Sequence, residues 1–136
     1  MLVESIAIKV ESSELDPEYK HLHHSKYFLL YEEGRTSLMR KAGVPLPEVI
    51  AQGLFPVVTE VNVSYLREVK AETYRLETQV SEIKWRTMLF EQTIYDYRGK
   101  IVSQAKITCM ILSKSAGRAI SVPEEWKKKF NPSQES

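Results

Sequence analysis

The segment ELDPEYKHLHHSKYFLLYEEGR, residues 14–35, sets an aspartate, Asp16, and three imidazoles, His21, His23 and His24, just before a stretch that is apolar on one helical face. A carboxylate can attack an electrophilic carbon directly or take a proton from water. A helix beginning near Ser25 directs unsatisfied N–H groups and the positive end of its dipole at the preceding loop, so an oxyanion formed there needs no cationic side chain. Neutral imidazoles also suit zinc, but the three histidines lack helical spacing and no neighbouring carboxylate or cysteine set completes a site, so no metal is expected. Asp16 followed by Pro17 also reads as a turn initiator, because Asp accepts from nearby amides and Pro fixes φ. Taken singly, the histidines read as solvated loop residues. Glu32 and Glu33 resemble an acid pair, yet neighbours on a helix point about 100° apart, and a solvated face is the simpler reading.

The elements that must hold this loop follow from hydrophobic period. Residues 2–10 alternate and are β-branched, which predicts a first strand; residues 11–23 have no sustained period and form a long loop. From Ser25, apolar residues recur at three and four through Tyr27, Leu30, Tyr31, Leu38, Met39 and Ala42, which predicts the one long helix, stopped by Gly43 and Pro45. Gly34 inside that helix costs about 1 kcal/mol relative to Ala, so close packing against a sheet is expected there. A short helical turn at PLPEVIAQG precedes four further strands at 55–66, 72–85, 87–97 and 101–113, with a hairpin turn at Arg98 and Gly99. Four successive strands with short connections pair antiparallel. One helix covers one face of such a sheet, leaving a face or an edge open to self-association. PEEWKKKF reads as a charged terminal helix, and 131–136 as a frayed tail after a single domain spanning 1–130.

Composition narrows the class. A chain of 136 residues buries about two thirds of its unfolded surface. With 43% hydrophobic and 27% charged residues it reads as a globular protein. A net charge of +1 creates no field for nucleic acid or an anionic membrane, and neither partner is expected. A single cysteine, Cys109, excludes an internal disulfide and a thiolate zinc site, and suits a reducing, cytoplasmic setting. No apolar run approaches the ~18 residues of a membrane-crossing helix.

The order strand, long helix, four strands, with Asp16 and Pro17 after the first strand, KHLHH before Tyr27 and YEEGR inside the helix, resembles the hotdog-fold acyl-CoA thioesterases, in the branch containing 4-hydroxybenzoyl-CoA thioesterase. RKAGVPLPEVIAQGLFPVVTEVNVSYLREVKAET continues the resemblance from the helix into the second strand. The resemblance implies an α+β hotdog fold, a five-stranded antiparallel sheet wrapped around one helix, assembled as a homodimer or homotetramer with active sites between subunits. It implies hydrolysis of an acyl-CoA without a cofactor, Asp16 as nucleophile or general base, and the His24 backbone N–H as oxyanion donor. Tyr27, His21 and His23 are expected around the substrate. Lys84 and Arg86 are expected at the CoA phosphates, with Arg67 and Lys70 as further basic candidates. Two features depart from the family: the Asp-to-His interval is one residue longer, and Tyr19 and Lys20 stand where the loop glycine is usual. A non-catalytic acyl-CoA binder and a dehydratase of hydroxyacyl thioesters are the alternatives within the same fold.

Overall fold

The computed structural model describes residues 1–132. The chain forms β1 (Val3–Lys9), α1 (Tyr27–Lys41), α2 (Leu46–Ala51), β2 (Leu54–Tyr65), β3 (Thr73–Ile83), β4 (Met88–Tyr95), β5 (Ile101–Ser113), β6 (Arg118–Ile120) and α3 (Glu124–Phe130). Single 3-10 turns at Ser12–Glu14 and His24–Lys26 punctuate the long loop. The antiparallel sheet runs β1-β3-β4-β5-β2 and wraps α1, the arrangement expected of a hotdog fold. It has six strands rather than five, because Arg118–Ile120 turns back to pair with the end of β5. A three-residue strand carries too little alternation to register in the sequence.

Strict alternation gives the sheet a dry face and a wet one. Tyr74, Leu76, Thr78 and Val80 of β3 face inward, as do Phe90, Gln92 and Ile94 of β4. The outward row Gln79, Glu91, Lys106 and Asn62 is polar across four paired strands. That row is therefore not adhesive, and a run of exposed apolar residues lies along the β2 edge. There Val58, Val61 and Tyr65 are each more than 40% exposed, beside Phe28 and Leu29 of α1. A bulge between Val58 and Glu60 keeps this row in phase. Val58 opposes Cys109 and Val61 opposes Ile107, both inward-facing residues of β5, although an odd interval separates the two valines.

The helix sits on the sheet through Tyr31, Gly34 and Leu38, all buried. A Cβ at Gly34 would lie 2.6 Å from Thr78 Oγ1, so the expected close approach is present. Buried polar groups at this seam are joined. Gln92 Nε2 donates to Tyr31 O at 2.8 Å and Thr78 Oγ1 at 2.9 Å, while the Tyr31 hydroxyl donates to Ser103 Oγ at 2.6 Å. Left unpaired, each such group would cost about 1–3 kcal/mol. Beyond α1, α3 turns Trp126 and Phe130 inward, with Phe130 edge-on to Phe90, and leaves Lys127, Lys128 and Lys129 in solvent. Asn131, placed in the frayed tail by sequence, is instead the left-handed cap of α3, its N–H donating to Lys127 O; residues 133–136 lie outside the described residues.

Candidate active site

Asp16 organises its own loop. Its Oδ1 accepts from the backbone N–H of Glu18 at 2.8 Å and of Tyr19 at 3.0 Å, its N–H donates to His21 O at 2.9 Å, and its carbonyl accepts from Lys20 N at 2.8 Å. The turn-initiator reading and the catalytic one thus concern different oxygens of one carboxylate, and Oδ2 makes no hydrogen bond among the described residues. Those two amides, with smaller help from His23 and His21, hold the Asp16 pKa below the ordinary carboxylate value despite some burial. The group is ionised at neutral pH. Lys20 takes φ 62°, the left-handed conformation that glycine adopts without strain.

Long-range contacts fasten the loop to the sheet. Leu15 and Leu22 form a β-bridge, and the buried Leu22 donates its N–H to Val69 O at 2.8 Å, tying the loop to the β2–β3 connection. Lys26 Nζ reaches Glu14 O at 2.9 Å. The β2–β3 connection therefore lies beside the Asp16 loop, and the two border an open cavity of about 610 Å³. Asp16, His21, His23, His24 and Tyr27 all line it, so five of the residues singled out by sequence meet in one place.

The histidines differ in what they do. His23 caps the 3-10 turn, its Nδ1 accepting from Ser25 N at 3.2 Å. His21 Nδ1 lies 3.3 Å from Leu22 O. The His24 ring stacks on His23 with centroids 4.2 Å apart, and its backbone N–H makes no hydrogen bond among the described residues. That amide opens the turn leading into α1, where an oxyanion would find an unpaired donor. No three His, Cys, Asp or Glu side chains among the described residues are placed to hold a metal. Tyr27 is buried edge-on against Tyr65, centroids 4.8 Å apart, and its phenol pKa is pushed up to about 12, chiefly by burial and then by Tyr74, Tyr65 and Glu68. It is a neutral wall of the cavity at physiological pH.

Lys84 and Arg86 are not part of this cavity. They lie on the β3–β4 hairpin, closed by Lys84 N to Thr87 O at 2.9 Å, whereas the cavity adjoins the Tyr65 end of β2, which pairs with Ser103. Met88, just past the hairpin, pairs with Cys109 further along β5, so within one chain the two groups sit at opposite ends of the sheet. The cation supplied by the same chain is Arg67, which lines the cavity; Lys70 lies in a neighbouring cleft. Tyr65 and Glu68 were not singled out by sequence reasoning. The β2 alternation puts Tyr65 in phase with Val61, a usable signal, but Glu68 arrives through a connection whose path no local pattern records.

The sequence profile of the thioesterase-like superfamily matches residues 10–130. An acyl-CoA thioesterase of Haemophilus influenzae, YbgC, is 29% identical over 114 residues, covering 81% of this chain and 82% of that protein. A DHNA-CoA thioesterase from Staphylococcus aureus superposes with a TM-score of 0.86 at 17% identity, over 96% of this chain and 90% of the other. A second Staphylococcus aureus protein, solved in complex with CoA, gives a TM-score of 0.86 at 15% identity, over 99% of this chain and 89% of the other. These structural likenesses establish the shared hotdog fold.

Proposed function

The chain belongs to the thioesterase-like superfamily and is a thioester hydrolase, and we propose that its substrates are acyl-CoAs, opened by Asp16 at a site completed between two subunits. The observation that carries this reading is that one cavity is lined both by Asp16, an ionised carboxylate with one oxygen free of hydrogen bonds, and by His24, whose backbone N–H has no partner among the described residues. In the proposed reaction Asp16 Oδ2 either attacks the thioester carbon or takes a proton from the water that attacks it. The carbonyl oxygen becomes an oxyanion facing the His24 N–H, the carbon–sulfur bond breaks as the tetrahedral centre collapses, and the thiolate leaves to be protonated as CoA. If Asp16 has attacked, water then cleaves the resulting anhydride and restores the carboxylate. A carboxylate and an amide supply both functions, so the proposal includes no cofactor.

The exposed β2 edge supports a homodimer. Pairing the two β2 strands about a two-fold axis makes them antiparallel, so the Leu54 end of one faces the Tyr65 end of the other. The 84–86 hairpin lies toward the Leu54 end of its own sheet. Dimerisation therefore carries it toward the neighbouring Asp16 loop, where Lys84 and Arg86 beside the exposed Trp85 suit the phosphates and base of CoA.

The test is thiol release from acyl-CoAs by the wild type, Asp16→Asn and Asp16→Ala. Asn keeps an Oδ1 acceptor for the Glu18 and Tyr19 amides, so Asp16→Asn separates the turn from the chemistry. We expect turnover to fall at least ~100-fold in both variants, the size of a lost acid–base group, with Asp16→Asn as stable as the wild type. Asp16→Asn retaining full turnover would remove Asp16 from the mechanism.

A further inference from the structure

We propose that His23 is a positioning residue: its neutral ring, accepting at Nδ1 from the Ser25 N–H, aims the His24 N–H at the oxyanion, and a proton on that nitrogen disables the site. The inference rests on the thioesterase reading and adds a proton switch to its oxyanion donor.

The coupling is local. His23 is the last extended residue of the loop, at φ −66° and ψ 139°, and His24 opens the 3-10 turn that runs without a break into α1. The hydrogen bond from Ser25 N to His23 Nδ1, at 3.2 Å, closes a small ring through the intervening backbone. The peptide joining His23 to His24 is a member of that ring, and the His24 N–H belongs to this peptide. Two bonds thus set its tilt: the His23 cap, and Lys26 N donating to His23 O at 3.0 Å. Opening the cap leaves the peptide to turn about the other. A donor that must meet a developing oxyanion loses much of its effect through a small misplacement.

One protonation state of His23 makes this bond. The backbone fixes the direction of the Ser25 N–H, so Nδ1 presents its lone pair and the ring proton sits on Nε2. The Ser25 hydroxyl, 2.8 Å from the same nitrogen, rotates to suit. A second ring proton sets two donors against each other and opens the cap. It also places a positive charge at the positive end of the helix. The other two histidines carry no such switch. His21 Nδ1 faces the Leu22 carbonyl, which accepts from a protonated nitrogen, and the His24 ring makes no hydrogen bond among the described residues. Asp16 and His21 of the loop, His24 stacked on His23, and Tyr27 of α1 share the cavity with it. Tyr65 of β2 and Arg67 and Glu68 of the β2–β3 connection face it from the sheet side. None of the ion pairs among the described residues includes His23, so protonation exchanges the cap for no direct partner.

The experiment measures kcat and KM of the wild type, His23→Ala and His23→Asn on octanoyl- and benzoyl-CoA between about pH 5 and pH 8, the range in which histidine changes charge. Wild-type kcat should rise at least ~fivefold across that range, the size of one lost helix cap, with a smaller change in KM. Asn carries Oδ1 on the same γ carbon as Nδ1 and does not titrate. His23→Asn should therefore keep kcat within about threefold of the wild type at the upper pH and lack the acid limb. His23→Ala, folded by circular dichroism, should sit ~fivefold low throughout. A limb that persists in His23→Asn belongs to His21 or His24 and overturns the proposal, as does full turnover in His23→Ala or loss of turnover in a folded His23→Asn. Nitrogen–proton correlation spectra of the wild type follow the same proton without substrate. If neither thioester is hydrolysed but the Ser25 and His24 amides shift together with protonation of the His23 ring, the hydrolytic reading fails and the switch stands. Amides that ignore that proton overturn it.

Discussion

Replacing Gly34 by Ala adds one methyl group at the seam between α1 and the sheet. Its Cβ would lie 2.6 Å from Thr78 Oγ1, 2.7 Å from Leu76 Cδ2 and 2.8 Å from Gln92 Nε2. The leucine tip can rotate away. The other two atoms are bonded to each other at 2.9 Å, and Gln92 is also bonded to Tyr31 O, so relief there means lifting the helix or breaking a buried hydrogen bond. Overpacking of this kind costs about 1–3 kcal/mol, and a strained buried hydrogen bond about 1 kcal/mol more. Alanine returns about 1 kcal/mol of helix propensity. The net expectation is a loss of about 1–3 kcal/mol, read as a lower urea midpoint with an unchanged slope by far-ultraviolet circular dichroism. The same lift displaces the start of α1, which carries Tyr27 and follows His24, so thiol release should fall as well. Adding Thr78→Ala removes the tightest contact, and the double variant should recover at least ~0.5 kcal/mol relative to additivity. Gly34→Ala as stable as the wild type, or more stable, would refute the claim that the glycine sets the distance between helix and sheet.

Three further outcomes are expected. Lys20→Gly removes a side chain from a left-handed backbone position and should stabilise the protein by about 0.5–1 kcal/mol in urea unfolding, after allowing for the extra freedom of the unfolded chain. The pH dependence has two limbs. Because the folded pKa of Asp16 is lowered, kcat/KM of His23→Asn should hold through the ordinary carboxylate range and fall only below it. Because the folded pKa of Tyr27 is raised to about 12, its contribution to stability is complete below its ordinary value of 10.0 and is lost as pH rises through that window, as alkaline unfolding would show. Val61→Lys places a charge on the exposed β2 row and should convert the proposed dimer to monomer in light scattering, with loss of turnover on acyl-CoA.

Local chemistry made much of this protein legible in its sequence. Period-two alternation located the five longer strands to within two residues at either end, because one face of each is dry. The three-and-four repeat located α1, and Gly34 signalled the close approach that the sheet supplies. Asp16, His21, His23, His24 and Tyr27 line one cavity because they are also neighbours along the chain, carried by one loop and the helix it enters. What tertiary structure alone decided involves residues far apart in sequence. The bulge beside Thr59 restores the phase of Val58 with Val61, a correction visible only against β5. The pairing of Leu22 with Val69 brings Tyr65, Arg67 and Glu68 to the Asp16 loop, whereas sheet length puts Lys84 and Arg86 at the other end of the chain's own fold. Arg35 reads in the sequence as one more charge on a solvated helical face. Only the sheet closing over α1 puts Gln92 against it. Local hydrophobic period dictates which faces are dry; the register and curvature of the paired strands decide which distant side chains those faces bring together.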